Sequence, residues 1–125
     1  MHTVIETAQY LRDAARAGLS GAARAEVVRL IAENPQAGDL IPGTGGARKL
    51  RVAGRGKGKS GGYRVVTYYA AADVPVFLLA VIDKGDRADL SQAERNALRA
   101  ELAGLARDYR ETARRKATAL QRRRR

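Results

Sequence analysis

The sequence predicts an α+β fold: a small antiparallel β-sheet with two helices near the N terminus and one helix at the C terminus. Three observations lead to this prediction: two helical patterns early in the chain, three strand-like segments joined by short links, and a capped amphipathic segment near the end. The predicted order is β-α-α-β-β-β-α. Because the links between the last three strands are short, we expect an antiparallel meander.

The N-terminal third is predicted to form one strand and two helices. A run of three β-branched residues favours a strand within residues 2–7. An Ala-rich helix is predicted over residues 8–17, where Gly18 would end it. Ser20 is a predicted N-cap for a second helix that reaches about Glu33, where an Asn-Pro pair stops it. We expect these helices to form an antiparallel hairpin.

The central segment is rich in glycine and is predicted to contain the three strands of the meander. Basic and apolar residues alternate over residues 48–53, which predicts a strand with its apolar side chains in the core and with Lys49 and Arg51 facing outward. A second strand is predicted over residues 62–70. The nearly continuous apolar run over residues 74–82 is typical of a central, buried strand.

The C-terminal segment is predicted to be one long helix followed by a basic tail. Ser91 and Glu94 fit the S-x-x-E pattern of a capping box, and leucines recur behind them at helical spacing. We expect the helix to reach about Gln121 and Arg122–Arg125 to extend into solvent. No repeat or linker interrupts the chain, so a single domain is expected over residues 1–121.

Positive charge is concentrated in two blocks of the sequence. The formal net charge is +11, from 24 Lys and Arg against 13 Asp and Glu. Residues 47–67 hold seven bases and no acid, whereas residues 107–125 hold nine bases and two acids. The rest of the chain is slightly acidic, so the two blocks indicate a polyanionic partner. Nucleic acid is favoured over a membrane because neither block is interleaved with large apolar side chains.

Several other kinds of site are disfavoured. The loop over residues 54–61 contains Gly-Lys-Ser, but Ala53 stands where a phosphate-binding loop needs glycine, and a strand follows instead of a helix. With His2 as the only histidine and no cysteine, we expect no metal, no cofactor and no histidine base. No signal peptide or membrane span is expected either, so the predicted location is the cytoplasm.

Two stretches of the chain carry a resemblance to a known family. They are residues 39–69, DLIPGTGGARKLRVAGRGKGKSGGYRVVTYY, and residues 76–94, VFLLAVIDKGDRADLSQAE. Both resemble the RelE/HigB-type toxins of type II toxin–antitoxin systems, in particular a phage-related HigB branch. The resemblance implies a RelE-like fold, in which the two N-terminal helices pack on the sheet.

The same resemblance implies an activity and its partners. The expected activity is that of a ribosome-dependent mRNA interferase, an endoribonuclease that cuts mRNA in the ribosomal A site and inhibits translation. The expected partners are the 30S A site, mRNA and a cognate antitoxin, which in this branch usually has a helix-turn-helix DNA-binding domain.

The cationic strands and the resemblance together predict a metal-independent catalytic set: Lys49, Arg51, Arg64 and Lys84. The ribose 2′-OH is expected to attack the adjacent phosphodiester and to leave a 2′,3′-cyclic phosphate. Lys49 is the predicted base, because neighbouring cations disfavour its protonated form. Arg64 is predicted to bind the phosphate oxygens with its planar fork of donors. Arg51 or Lys84 would neutralise charge or supply a proton.

A second predicted set binds RNA without taking part in the chemistry: Arg48, Arg55, Lys57, Lys59 and Tyr68. Glycines around the loop lysines would let the backbone approach a phosphate chain closely. Tyr68 and Tyr69 are adjacent on a strand and should face opposite sides. One of them is expected in the core, and Tyr68 is assigned to stacking on a base.

Two other functions stay open at the level of sequence. The same fold serves ParE-type toxins, which bind DNA gyrase without catalysis, and a plain RNA- or DNA-binding module would carry the same charge. Fold alone does not separate these classes. The discriminating feature is geometric, because an RNase needs cations that converge on a phosphate.

Overall fold

The computed structural model describes residues 1–53, 62–83 and 89–123, which form a five-stranded sheet with helices on both faces. The strands are β1 (Val4–Glu6), β2 (Asp39–Leu40), β3 (Ala47–Val52), β4 (Tyr63–Tyr68) and β5 (Val76–Asp83). The helices are α1 (Ala8–Ala17), α2 (Gly21–Glu33), α3 (Gln92–Leu102) and α4 (Leu105–Arg123). The predicted α+β class is confirmed.

The strand order in the sheet is β1-β5-β4-β3-β2. β3, β4 and β5 form the predicted antiparallel meander. β1, however, runs parallel to β5, with Val4 opposite Val76, so the sheet is mixed rather than wholly antiparallel. The alternation of a strand predicts which faces its side chains take, but not the direction of its neighbour.

The two-residue strand β2 was not predicted from the sequence. It pairs with β3 and places Asp39 opposite Lys49. The turn between the two strands is held by the buried Thr44, whose hydroxyl donates to the Ile41 carbonyl at 2.7 Å and accepts from the Ala47 N–H at 3.1 Å. Two residues are too few for an alternating pattern to be visible in the sequence.

The helices α1 and α2 begin and end where the sequence predicts. The hydroxyls of Thr7 and Ser20 cap their N termini by accepting from the backbone N–H groups of Tyr10 and Ala23. Gly18 ends α1 with a φ of 80°, which is a left-handed conformation that glycine adopts without strain.

One face of the sheet is covered by α1 and α2. Its buried side chains include Tyr10, Ala14, Val27, Ile31, Val65, Val76 and Leu78. Leu50 and Val52 of β3 pack against this cluster, as the alternation predicted. Lys49 and Arg51 therefore belong to the opposite face of β3.

That opposite face packs against α3 and the start of α4. Its buried cluster consists of Ile41, Ala47, Val66, Ile82 and Leu102. The predicted capping box at Ser91 and Glu94 is present. The predicted single C-terminal helix is wrong, because α3 ends at Leu102 and α4 begins at Leu105. Gly104 lies at this break, and glycine is the poorest helix former after proline.

Within the described part of the chain, helix α4 contacts the sheet and the turn between β4 and β5 only near its beginning. Arg110 donates two hydrogen bonds of 2.6 Å to the carboxylate of Asp73, and the Tyr109 ring meets the edge of Phe77. From residue 111 to 123 every residue is exposed. The helix continues to Arg123, so the predicted boundary between the last helix and the basic tail, at Gln121, lies inside α4. No described helix combines the length and the apolar character that crossing a membrane requires.

Candidate active site

Three of the four predicted catalytic cations lie on one face of the sheet. Arg51 on β3 is directly opposite Arg64 on β4, and Lys49 is opposite Val66. Directly opposite side chains have Cβ atoms about 4.5–5.5 Å apart, and diagonal neighbours about 7–8 Å apart. Because like charges at these separations repel each other, negative charge from a carboxylate or from a bound anion stabilises this region.

Arg64 is half-buried, and its guanidinium is not fully paired. The Nε atom is inaccessible to solvent and has no hydrogen-bond partner among the described residues. Leaving such a donor unmet costs about 1–3 kcal/mol. Because Nε is inaccessible, an oxyanion that binds here would meet the terminal nitrogens of this half-buried side chain.

The Lys49 ammonium is paired with a carboxylate that is distant from it in the sequence. Its Nζ donates to Oδ2 of Asp89 at 2.9 Å. The other oxygen of Asp89 accepts from the Leu90 backbone N–H at 2.8 Å. The Lys49 ammonium, followed by this backbone N–H, holds the pKa of Asp89 below its ordinary value of 3.8. The carboxylate is therefore ionised at neutral pH.

A fourth cation, Arg95 of α3, shares the same carboxylate. Its Nη2 lies 3.3 Å from Oδ2 of Asp89, and its Nε is buried without a hydrogen-bond partner among the described residues. Sequence reasoning missed both Arg95 and Asp89. The capping box could have placed Arg95 at the start of α3, because that residue directly follows Glu94 in the first turn of the helix. Asp89 gave none, since its partner is 40 residues away in the chain.

The structure separates two of the predicted RNA-binding residues. Arg48 is opposite Thr67 and lies on the other face from Lys49, where its Nη1 donates to the Gly38 carbonyl at 3.0 Å. Tyr68 shares the face of Arg64 and is half-buried, with its ring packed against Gly46. Arg48 is therefore not brought to the cationic face, whereas Tyr68 is.

Tyr69 is also half-buried, so neither tyrosine of the pair is wholly in the core. It packs against the cluster under α1 and α2, and its ring meets His2 edge-on at a centroid distance of 5.3 Å. The expectation that the two tyrosines face opposite sides is confirmed. The predicted residues Lys84, Arg55, Lys57 and Lys59 lie outside the described residues.

The face of the cations also carries an apolar cavity of about 620 Å³ between α3 and the strands β1 and β5. Its lining includes Phe77, Leu79, Leu90, Leu98 and Leu102, and it contains none of the predicted catalytic cations. Within the described ranges, no three His, Cys, Asp or Glu side chains are grouped as a metal site would require.

Over residues 2–124 the chain matches the family described as "RelE toxin of RelE / RelB toxin-antitoxin system". The chain belongs to the RelE toxin family. It is also similar to a solved structure of a double mutant of the E. coli toxin RelE in the free state. That similarity has 18% sequence identity and a TM-score of 0.49, and covers 69% of this chain and 86% of the other.

Membership in this family confirms the resemblance to RelE-type toxins that residues 39–69 and 76–94 carry. A RelE toxin is one half of a toxin–antitoxin system, so an antitoxin partner follows from membership. The assignment to a HigB branch stays a prediction, as does the helix-turn-helix domain of the antitoxin. In this RelE toxin the described cationic face thus contains Lys49, Arg51, Arg64 and Arg95, with the carboxylate of Asp89 among them and Asp39 opposite Lys49.

Proposed function

We propose that this RelE toxin is a ribosome-dependent mRNA interferase, which cleaves mRNA in the ribosomal A site without a metal ion. The observation that carries the proposal is the placement of Lys49, Arg51 and Arg64 on one sheet face, where the Arg64 side chain is only half-buried. A phosphodiester is the anion that such a planar donor and its flanking cations suit best.

The proposed reaction is a transesterification within the RNA. The 2′-oxygen forms a bond to the adjacent phosphorus as the bond from phosphorus to the 5′-oxygen breaks. The 2′-OH proton goes to a base, and the departing 5′-oxygen takes a proton from an acid. The products are a 2′,3′-cyclic phosphate and a 5′-hydroxyl, so atoms and charge balance without an added reactant.

The described contacts suggest roles for the cations. Arg64 binds the nonbridging oxygens and stabilises the charge that grows on them, an effect that typically contributes the largest part of such a rate enhancement. Lys49 is already paired with Asp89, which suits an ammonium that neutralises charge or protonates the 5′-oxygen. This differs from the role of base that the sequence suggested for Lys49. Arg51 and Lys84 keep the role that the sequence suggested, which is charge neutralisation or the supply of a proton, and Lys84 lies outside the described residues.

The composition of the site supports dependence on the ribosome. The described cationic face has no histidine, and the bases that it offers besides lysine are carboxylates, which are weak bases. A site of this kind relies on the substrate being held in position, and positioning is worth up to about 7–11 kcal/mol. The proposed partners in the reaction are therefore the 30S A site and mRNA. The cognate antitoxin is the proposed inhibitory partner, and the proposed location is the cytoplasm.

Primer extension on mRNA after brief induction without antitoxin tests the proposal. We expect cuts at codon-phased positions in cells that express the wild-type toxin, and none in cells that express Arg64→Ala. The new 3′ ends should resist adaptor ligation until the cyclic phosphate is removed. Growth arrest with intact mRNA and gyrase-trapped, broken DNA would instead assign a ParE-type function.

A second candidate, nucleic-acid binding without cleavage, is favoured by one observation. The exposed half of α4 carries Arg114, Arg115, Lys116, Arg122 and Arg123, far from the sheet contacts of Arg110. Exposed cations of this density bind phosphate chains without regard to sequence. Translation arrest with ribosome-bound toxin and uncut mRNA would support this candidate.

A further inference from the structure

The first turn of α3 is fixed in place by its cap. The Ser91 hydroxyl accepts from the Glu94 N–H at 3.2 Å, and the Glu94 carboxylate accepts from the Ser91 N–H at 2.9 Å. The next residue, Arg95, donates its own backbone N–H to the Ser91 carbonyl at 3.0 Å. The backbone that carries the Arg95 side chain is therefore well defined.

Asp89 connects this turn to strand β3. Its Oδ2 accepts from Lys49 at 2.9 Å and from Arg95 at 3.3 Å. The side chains of Lys49, Asp89 and Arg95 are 27%, 33% and 25% exposed, so solvent screens the group only partly. One carboxylate between two cations leaves the group with one positive charge in excess.

Asp89 does not use all the donors of Arg95. The Arg95 Nε is buried without a hydrogen-bond partner among the described residues, which is also the state of the Arg64 Nε. The two arginines are linked through Lys49, which is a diagonal neighbour of Arg64 across β3 and β4. Both Nε atoms are inaccessible to solvent, so an anion at this face would meet the terminal nitrogens of these two partly exposed arginines.

We propose that Arg95 is a further phosphate-binding residue of this site and that Asp89 is the positioning residue that holds it. The ligand is a backbone phosphate of the RNA, and in naming RNA the inference rests on the proposed function. The contact with Asp89 indicates that an oxyanion fits against one edge of the Arg95 guanidinium. A phosphate oxygen makes the same kind of charge-assisted hydrogen bond at the remaining donors.

NMR of the arginine Nε–Hε groups in the full chain tests the contact directly. The probe is a short oligoribonucleotide carrying 2′-O-methyl groups, which cannot be cleaved because the attacking hydroxyl is blocked. Arg95→Lys and Arg64→Lys assign the two resonances. We expect both resonances to shift as the oligonucleotide saturates the protein. Arg95→Ala should weaken its binding roughly 10-fold, as the removal of one charge-assisted hydrogen bond does.

Arg99→Ala is the matched control. Arg99 lies one turn further along α3, is exposed, and has no ion pair with Asp89. Removing it deletes the same charge from the same helix, so we expect oligonucleotide affinity to change about twofold or less. Equal losses in Arg95→Ala and Arg99→Ala would reduce the effect to net charge and overturn the inference.

Asp89→Asn tests the positioning role. In the free protein it should move the Arg95 Nε–Hε resonance. On programmed ribosomes it should raise KM more than it lowers kcat, because the function removed is orientation of a binding group. Asp89→Glu, which restores the carboxylate, should recover part of both effects. If Asp89→Asn lowers only the unfolding free energy, Asp89 is structural and this part of the inference is wrong.

The remaining outcomes separate the inference from the function on which it rests. If saturation shifts Arg64 and leaves Arg95 unmoved, the inference fails and the proposed function stands. An equal shift of the Arg95 resonance with inorganic phosphate at the same concentration would mark a general anion site and overturn the assignment to RNA. The absence of any shift in either arginine with the oligonucleotide would overturn it as well. If Arg95 responds to RNA but wild-type toxin cuts no mRNA on ribosomes, the interferase proposal alone fails.

Discussion

The Lys49 ammonium on β3 lies 2.9 Å from the carboxylate of Asp89, a residue that follows it by 40 positions in the chain. The same carboxylate holds Arg95 at the start of α3. The cationic face is therefore built from two strands and a capped helix together. A change in any of these elements should reach the others through this carboxylate.

Arg64→Ala should abolish toxicity while leaving the protein folded. The side chain extends from a central strand, so its donors are held in place before RNA binds. Loss of one preorganised donor typically lowers the rate about 100–1000-fold. Growth after induction gives the toxicity and circular dichroism the fold, with Arg16→Ala, an exposed arginine on α1, as the control. A folded Arg64→Ala protein as toxic as wild type would remove Arg64 from the site.

Gly38→Ala should destabilise the protein and displace β3. Gly38 has a φ of 95°, and a Cβ there would lie 2.5 Å from the Lys49 carbonyl oxygen. The added methyl group therefore pushes on the backbone that carries Lys49. Gly43→Ala is the matched control, since its φ is 80° but nothing lies within 4 Å of its Cβ position.

Both variants incur the cost of a left-handed alanine, about 1–2 kcal/mol. Only Gly38→Ala adds the clash, so urea unfolding should give it the larger loss of unfolding free energy. RNA cleavage should fall in Gly38→Ala and stay close to wild type in Gly43→Ala. Equal losses of stability would mean that the clash is relieved without moving β3.

Tyr10→Phe should remove a destabilisation that develops at alkaline pH. Tyr10 is fully buried, and its hydroxyl has no hydrogen-bond partner among the described residues. Burial, together with the nearby negative charge of Glu6, raises the pKa of Tyr10 to about 12, although Arg24 acts in the opposite direction. The unfolded chain releases this proton near its ordinary pKa of 10.0.

The stabilising contribution of the protonated phenol is thus complete below pH 10.0 and is lost as the pH rises toward about 12. Urea unfolding from pH 7 to 11 should show wild type losing stability relative to Tyr10→Phe over the upper part of that range. At pH 7 the variant should be at least as stable, because no unpaired hydroxyl is buried. Identical pH profiles for the two proteins would contradict the assignment.

Neutralising the exposed half of α4 should weaken binding to ribosomes without slowing the bound enzyme. Arg114, Arg115 and Arg122 flank a shallow surface over Thr118 and Ala119, with no buried residue in the helix to hold them rigidly. Each Arg→Gln change that removes an ion pair with a phosphate should lower the logarithmic salt slope of binding by about 0.7–0.9. Salt-dependent ribosome binding measures this slope.

Single-turnover cleavage on programmed ribosomes, with toxin in excess, measures the rate at saturation. The triple Arg→Gln variant should reach the wild-type rate there. A saturated rate that falls tenfold or more, with ribosome binding intact, would place α4 in the active site.

Local rules account for what could be predicted about the elements. Thr7, Ser20 and Ser91 cap helices through hydrogen bonds three residues ahead, and the alternation along β3 places Lys49 on the face opposite Leu50. The same alternation already implied that Arg48 shares the face of Leu50, an implication that the RNA-binding prediction overlooked. Gly104 was likewise visible in the sequence as a weak point within the predicted helix.

The sequence by itself determined where most helices and strands lie, which face β3 turns to the core, and the family to which the chain belongs. Those features depend on hydrogen bonds within a few residues and on the fixed periods of helix and strand. The parallel pairing of β1 with β5 and the junction of Lys49, Asp89 and Arg95 were decided only by tertiary structure. Burial of the apolar faces sets which distant segments become neighbours, and no local pattern in the chain encodes that choice.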